Sequence, residues 1–300
     1  MRSTQYPGGV FRSIRLLLIV AILSGLLVTL LHHASAQESE EPSGQLQAQP
    51  TDDTVFQRFL EWLPRARPAN DTPELTKQYR SHLTSAGASD TEVRRQMGII
   101  GPMLRGRADG WRLIFNNVYA SSTPTFVTQP NALLVATVEG RKPGRALDIG
   151  MGQGRNSVFL ALEGWDVTGF DVSDEGIAVA RKNAERAGVK INAIRETIEA
   201  FDYGTGQWDL IVFMYEPFPV TSTEYVERLR KSLKPGGLIV LENFAPEETM
   251  LDWTATDPGA LLVAFKDFRL VYFHDTFAKP DFVTPQEKRH LVRMVVEKRP

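Results

Sequence analysis

Cysteine is absent from all 300 residues. That absence removes disulfides, thiolate nucleophiles and cysteine-based zinc or iron–sulfur centres together. It leaves the compartment open, because a chain without cysteine is tolerated in either redox environment. A surplus of one charge is lacking too: 34 Lys and Arg stand against 36 Asp and Glu, for a net charge of −2. Nucleic-acid binding needs a concentrated basic face, so no nucleic-acid partner is expected. The local cluster of Arg94, Arg95, Arg105, Arg107 and Arg112 reads as a solvated helix surface. No carboxylate and histidine cluster has metal-ligand spacing, so no metal is expected. What is present, 42% hydrophobic and 23% charged residues, can bury a substantial core in one good-sized domain plus attachments, or at most two domains.

The N-terminus reads as a targeting segment. Arg2, Arg12 and Arg15 precede an uncharged apolar run from Leu16 to Leu31, and Ala34-Ser35-Ala36 supplies small residues at signal-peptidase spacing. The run is slightly shorter than the roughly 20 residues of a comfortable spanning helix. Residues 1–36 are therefore expected to be a cleaved signal or a retained membrane anchor. The arginines should stay cytoplasmic and send the rest across the membrane, to the periplasm or its face of the inner membrane. A translation start further downstream would leave the chain cytoplasmic. Residues 37–54 are polar and poor in large apolar groups, the composition of a flexible linker.

Residues 55–114 turn helical. Phe56, Phe59, Leu60 and Leu63 recur at three- and four-residue spacing until Pro64. Further helices are expected over Pro73 to Ala86 and Asp90 to Leu104, the latter with Asp90 as N-cap. From Arg145 short apolar strands alternate with amphipathic helices. The strand-like runs are Arg145 to Ile149, Val167 to Phe170, Ile191 to Ile194, Leu210 to Met214, Leu238 to Glu242, Arg269 to His274 and Leu291 to Val296. Helices fall at Ser157 to Glu163, Asp174 to Ala187 and Ser222 to Leu233, the last opening on Thr221 and Glu224 at capping-box spacing. Such alternation predicts an α/β fold, a doubly wound, mostly parallel seven-stranded sheet, with the final two strands as an antiparallel pair at its edge.

Chemistry concentrates at the first strand end, Asp148-Ile149-Gly150-Met151-Gly152-Gln153-Gly154-Arg155. Three glycines at every second position let the backbone turn sharply and approach a ligand. The helix start behind them offers unpaired N–H groups to an anionic group. About 20 residues past the glycines a second strand ends in Asp171, where doubly wound folds hold a ribose diol. Dinucleotides want G-x-G-x-x-G; this chain has G-x-G-x-G, with Asp148 two residues ahead.

Asp148, the three glycines, Asp171 and the later Lys234-Pro235-Gly236-Gly237 turn resemble class I S-adenosylmethionine-dependent methyltransferases, from about Phe115 to the C-terminus. Domain boundaries of 1–36, 37–54, 55–114 and 115–300 follow, the last a Rossmann-like methyltransferase domain behind an N-terminal helical extension. Within the family the chain looks most like the small-molecule branch that includes the tellurite-resistance and thiopurine methyltransferases. Tyr119 to Asn131, Gly152 to Ser157 and Leu291 to Lys298 carry that closer likeness. The resemblance implies S-adenosylmethionine as cofactor. Asp148 with Gly150, Gly152 and Gly154 would hold its methionine moiety, Asp171 its ribose, and Val172 its adenine. Thr197 takes the position after the third strand where the family usually has an acid, with Glu196 beside it and Ile198 or Phe201 as further pocket candidates. Arg155 could pair with the cofactor carboxylate.

The methyl acceptor is expected to be a small molecule. A soft or anionic acceptor needs no general base, whereas a hydroxyl or amine needs help at deprotonation. Glu216 and then Tyr215, after the fourth strand, are the candidates for that work, and Tyr119, Phe126 and Phe218 would help to close the pocket. His274, at the end of an edge strand, is assigned a structural role; His32 and His33 belong to the targeting segment. The alternative function is an exported, catalytically inactive nucleoside or small-molecule binding protein that keeps the fold. The oligomeric state is left open.

Overall fold

The computed structural model describes residues 49–104, 107–124, 126–216, 219, 221–246, 255–282 and 287–300. The expected targeting segment and most of the expected linker lie outside them. Among the described residues no helix is long and apolar enough to cross a membrane.

The described residues begin with helices. α1 (Asp52–Trp62) is capped by the Thr51 hydroxyl, so the last residues assigned to the linker are already helical. α2 (Thr72–Ser85) starts at the Asp71 cap, and Pro73 stands in its first turn, where a missing N–H costs nothing. α3 (Asp90–Leu104) is capped by Ser89, whose hydroxyl accepts from the Glu92 N–H. That corrects the assignment of Asp90, which is the first residue of the helix itself. α4 (Ala108–Tyr119) runs across the expected boundary at residue 114. Phe56, Phe59, Leu63, Tyr79, Leu83, Ile100, Leu104 and Ile114 form the core shared by these helices. α5 (Ala132–Val138), capped by Asn131, leads into the sheet.

The sheet has seven strands, β1 (Arg145–Ile149), β2 (Asp166–Asp171), β3 (Asn192–Arg195), β4 (Trp208–Met214), β5 (Leu233–Phe244), β6 (Arg269–Ala278) and β7 (Arg289–Glu297). Their order is β3-β2-β1-β4-β5-β7-β6. The first five are mutually parallel, and β7 runs antiparallel to both β5 and β6. The final pair is antiparallel as expected, but β7 inserts beside β5 and leaves β6 at the edge. Helices α6 (Arg155–Leu162), α7 (Asp174–Arg186) and α8 (Thr223–Ser232) connect the parallel strands, and α9 (Pro258–Ala264) precedes β6. Ser222, not Thr221, caps α8, so no capping box forms with Glu224.

Parallel strands covered on both sides must be apolar on both faces. Along β4, Leu210 and Val212 enter one core while Ile211 and Phe213 enter the other. Chain order reverses between β1 and β4, and such a switch point opens a crevice at the strands' carboxyl ends.

Candidate active site

Three strand ends meet at that crevice. β1 runs into a turn with Gly150, Gly152 and Gly154 at φ of +64°, +51° and +76°. This left-handed backbone is what glycine tolerates and other residues resist. It is also close-packed: a Cβ on Gly150 would collide with the Glu216 carboxyl, and one on Gly152 with the Tyr119 hydroxyl. The Gly152 N–H donates to Asp171 Oδ2 at 2.8 Å, and the Ser173 N–H donates to Asp171 Oδ1 at 2.8 Å. Two of the carboxylate's acceptor positions are thereby used to orient it, and the others face the cleft.

Three carboxyl groups gather here, and none of the described ion pairs involves them. Asp148 is buried and accepts from the Ser157 hydroxyl at 2.6 Å; burial pushes it up to about 7, with Ser157 acting against the rise. Burial raises Asp171 to about 6, opposed by the Ser173 and Gly152 N–H groups. Glu216 is held well above the usual carboxylate range, first by burial and then by the neighbouring Asp171 and Asp148 charges. Low-dielectric surroundings disfavour the ionised form of each acid, and like charges add to that. A ligand with positive charge would reverse the penalty.

Two adjoining cavities flank Glu216. One, of about 600 Å³, is lined by Asp171, Val172, Thr197 and Ile198 on the sheet side and by Arg107, Ala108, Trp111 and Phe115 from α4. The other, of about 510 Å³, is lined by the glycine turn, Tyr119, Phe126, Val127 and Phe282. Val172, Thr197 and Ile198 thus stand where the sequence placed them, with Glu196 beside them. Phe201 does not reach the cavity; it stacks beneath Phe170 at 4.3 Å. Phe218 lies outside the described residues. His274 is exposed on β6 and lines neither cavity.

Hydrogen bonds add a bracing role for Arg155 and move Tyr215 out of the chemistry. The Arg155 guanidinium donates to the Gln129 and Asp281 carbonyls at 2.9 and 2.7 Å and pairs with the Asp281 carboxylate at 3.0 Å. These bonds use three of its five N–H groups, so Arg155 braces this wall of the site while itself lining the second cavity. Tyr215 adopts φ +60°, which turns its side chain away from both cavities. Its hydroxyl donates to Glu242 and accepts from the Asp281 N–H at 3.1 Å. Burial and the Glu242 charge drive its pKa upward, opposite to what a base requires.

These braces belong to a network that sequence reasoning missed. Buried Glu242 pairs with Arg293 at 2.9 Å and accepts from Asn131 Nδ2 at 3.2 Å, while Asn131 also donates to Asp281 at 3.0 Å. The network holds Asp281 and with it the neighbouring Phe282. The Phe282 carbonyl accepts from the Val127 N–H at 2.9 Å, and the Val127 carbonyl accepts from Gln153 Nε2 at 2.8 Å. Only the charge of Glu242 within an apolar strand hinted at it. α4 is seated as firmly: Arg112 pairs with Asp174 at 2.9 Å, and Asn116 Oδ1 accepts from the Ser173 hydroxyl at 2.8 Å. The helical extension is therefore a wall of the site.

Comparison with known proteins agrees with this geometry. Residues 146–237 match the family described as a methyltransferase domain. The ubiquinone biosynthesis O-methyltransferase of Pectobacterium atrosepticum is 36% identical over 104 residues, 33% of this chain and 42% of that protein. Its counterpart from Shewanella pealeana is 39% identical over 98 residues, 32% of this chain and 41% of that protein. The chain thus spans less than half the length of these curated relatives. Among solved structures, a protein from work on converting a disulfide bond into a thioacetal group during echinomycin biosynthesis superposes with a TM-score of 0.52. Its identity is 16%, and the match covers 64% of this chain and 91% of that one. TehB from Haemophilus influenzae gives 0.49 at 18% identity, covering 63% and 67%.

Proposed function

We propose that this chain, which carries a class I S-adenosylmethionine-dependent methyltransferase domain, transfers the cofactor's methyl group to a hydroxyl of a small molecule. The observation that carries the reading is Glu216: a carboxyl group between the two cavities, raised in pKa, to which no described side chain donates a hydrogen bond. A soft anionic acceptor, as in the tellurite-resistance and thiopurine branch, would have no use for a base there. A hydroxyl acceptor needs one.

The residues present fit the cofactor. Asp171 has acceptor positions for both ribose hydroxyls once its two backbone donors are counted. Val172 and Ile198 offer an apolar slot for adenine. Asp148, Glu216 and the glycine turn offer negative charge and close backbone approach to the positively charged methionine end. When bound, S-adenosylmethionine supplies a methyl group already activated by its sulfonium charge. The chain's own contribution is alignment and exclusion of water by Tyr119, Phe126 and Phe282, and Glu216 would take the hydroxyl proton.

Calorimetric titration of S-adenosylmethionine into the full-length protein tests the cofactor site. Micromolar binding is expected, with loss of at least about a hundredfold in Asp171→Ala, which removes two hydrogen bonds to a charged acceptor. Well-folded protein that takes up no cofactor would sink the enzyme reading in favour of the inactive binding protein. For Glu216→Gln, unchanged cofactor affinity with turnover reduced 10²- to 10⁴-fold is expected of a general base. We further propose that residues 1–36 direct the chain to or across the inner membrane, with Arg2, Arg12 and Arg15 left on the cytoplasmic side. Fractionation of cells expressing the chain with and without them tests this, and identical distribution would refute it.

A further inference from the structure

The helical extension holds a cavity of its own. A cavity of about 340 Å³ lies between α1, α2, α3 and α4, floored by Phe59, Leu75, Ile100, Leu104 and Ile114. Each of those side chains is buried, and the rim is formed by Thr72, Thr76 and Arg80. Helix-bundle cores pack to crystal-like density, so an apolar space of this size is not a by-product of packing. Its lining offers almost nothing to a polar ligand and much to a hydrocarbon or aryl chain. The α3 wall contributes Gly101, with Pro102 next to it inside the helix. Proline inside a helix removes a backbone hydrogen bond, and glycine lowers helix propensity, so this wall can adjust to what enters.

Trp111 stands between this space and the cofactor cleft. It lines the apolar cavity and also the cavity that contains Asp171 and Glu216. With Trp111 as the shared wall, a molecule whose hydroxyl lies at Glu216 has the apolar cavity as its nearest apolar neighbour on the α4 side. We propose that the cavity among α1 to α4 binds the apolar tail of the methyl acceptor, which makes the acceptor an amphipathic molecule. The proposal rests on the methyltransferase reading and adds a substrate class to it.

The test uses the full-length protein with N-phenyl-1-naphthylamine as an uncharged fluorescent probe, displaced by a series of 4-alkylphenols. Saturable probe binding is expected. Displacing affinity should rise roughly fourfold per added methylene until the cavity is full. Thr76→Trp at the mouth and Gly101→Leu at the floor should each weaken 4-nonylphenol at least tenfold while phenol is unaffected. Bound 4-nonylphenol should also shift the S-adenosylmethionine dissociation constant at least threefold, because both ligands touch the Trp111 wall. No saturable binding, affinity indifferent to chain length, or insensitivity to both substitutions would overturn the proposal. So would cofactor affinity untouched by bound alkylphenol, since the site would then be unconnected to the acceptor. Cofactor titration of the same sample without alkylphenol reports on the methyltransferase reading by itself.

Discussion

The floor of the cleft and its roof are built differently. The floor, from Asp148 through the glycine turn to Asp171, comes from two adjacent strands and is held by short-range backbone hydrogen bonds. The roof comes from α4, seated by Arg112 and Asn116, and from Phe126 with Val127 and Phe282, held by the network of Glu242, Arg293, Asn131 and Asp281. A floor made of backbone geometry is intolerant of added atoms. A roof made of paired side chains is vulnerable to the loss of one partner.

The largest expected effect separates the two most sharply. Glu242→Ala leaves Arg293 and the Tyr215 hydroxyl without their buried partner, and should destabilise the protein by about 3–5 kcal/mol in urea unfolding. Folded Glu242→Ala protein should retain cofactor affinity within tenfold, because the floor is intact. A hundredfold loss would show that roof and floor are one unit.

Gly152→Ala attacks the seam from the other side. The left-handed backbone strain should cost about 1–3 kcal/mol, with further loss from collision with the Tyr119 hydroxyl. Adding Tyr119→Phe should recover the collision part of the lost cofactor affinity and leave the strain. No recovery in calorimetry would mean that the two regions do not press on each other there.

The pH dependence follows from the carboxyl groups in the floor. Asp148 and Asp171 titrate at about 7 and about 6 in the folded chain, above their usual 3.8. The folded state therefore holds protons that the unfolded chain releases. The stability this contributes is complete below about pH 4 and is lost as pH rises through 6 to 7. The slope is about 1.4 kcal/mol per pH unit for each acid that titrates. Cationic cofactor favours the ionised forms, so its stabilisation should grow between pH 5.5 and 7.5. Melting temperatures with and without S-adenosylmethionine would check this, and a gap that narrows with pH would contradict it. The smallest effect is Tyr215→Phe, which removes one buried hydrogen-bond donor and should cost about 0.5–1.5 kcal/mol of stability with turnover preserved. A collapse of turnover at unchanged stability would restore Tyr215 to the chemistry.

Legibility in the sequence follows the same division. All seven strands could be read from apolar runs, and β1 and α3 came out with their observed limits, because parallel strands and amphipathic helices announce themselves over a few residues. The Asp148, glycine and Asp171 set was equally readable. The role of α4 was not: its Phe115 and Trp111 look like ordinary core residues until α7 is beneath them. The bracing by Arg155 and Tyr215 was hidden for a related reason: the partners, Asp281 and Glu242, lie more than 25 residues away.

By itself, then, the sequence determined the α/β class, the strand ends and the backbone cradle, since φ preference, strand alternation and helix capping act between near neighbours. The tertiary structure alone decided which side chains face the cleft and which brace it. That choice belongs to buried charges and aromatic rings satisfied across the sheet, and no local pattern records such partners.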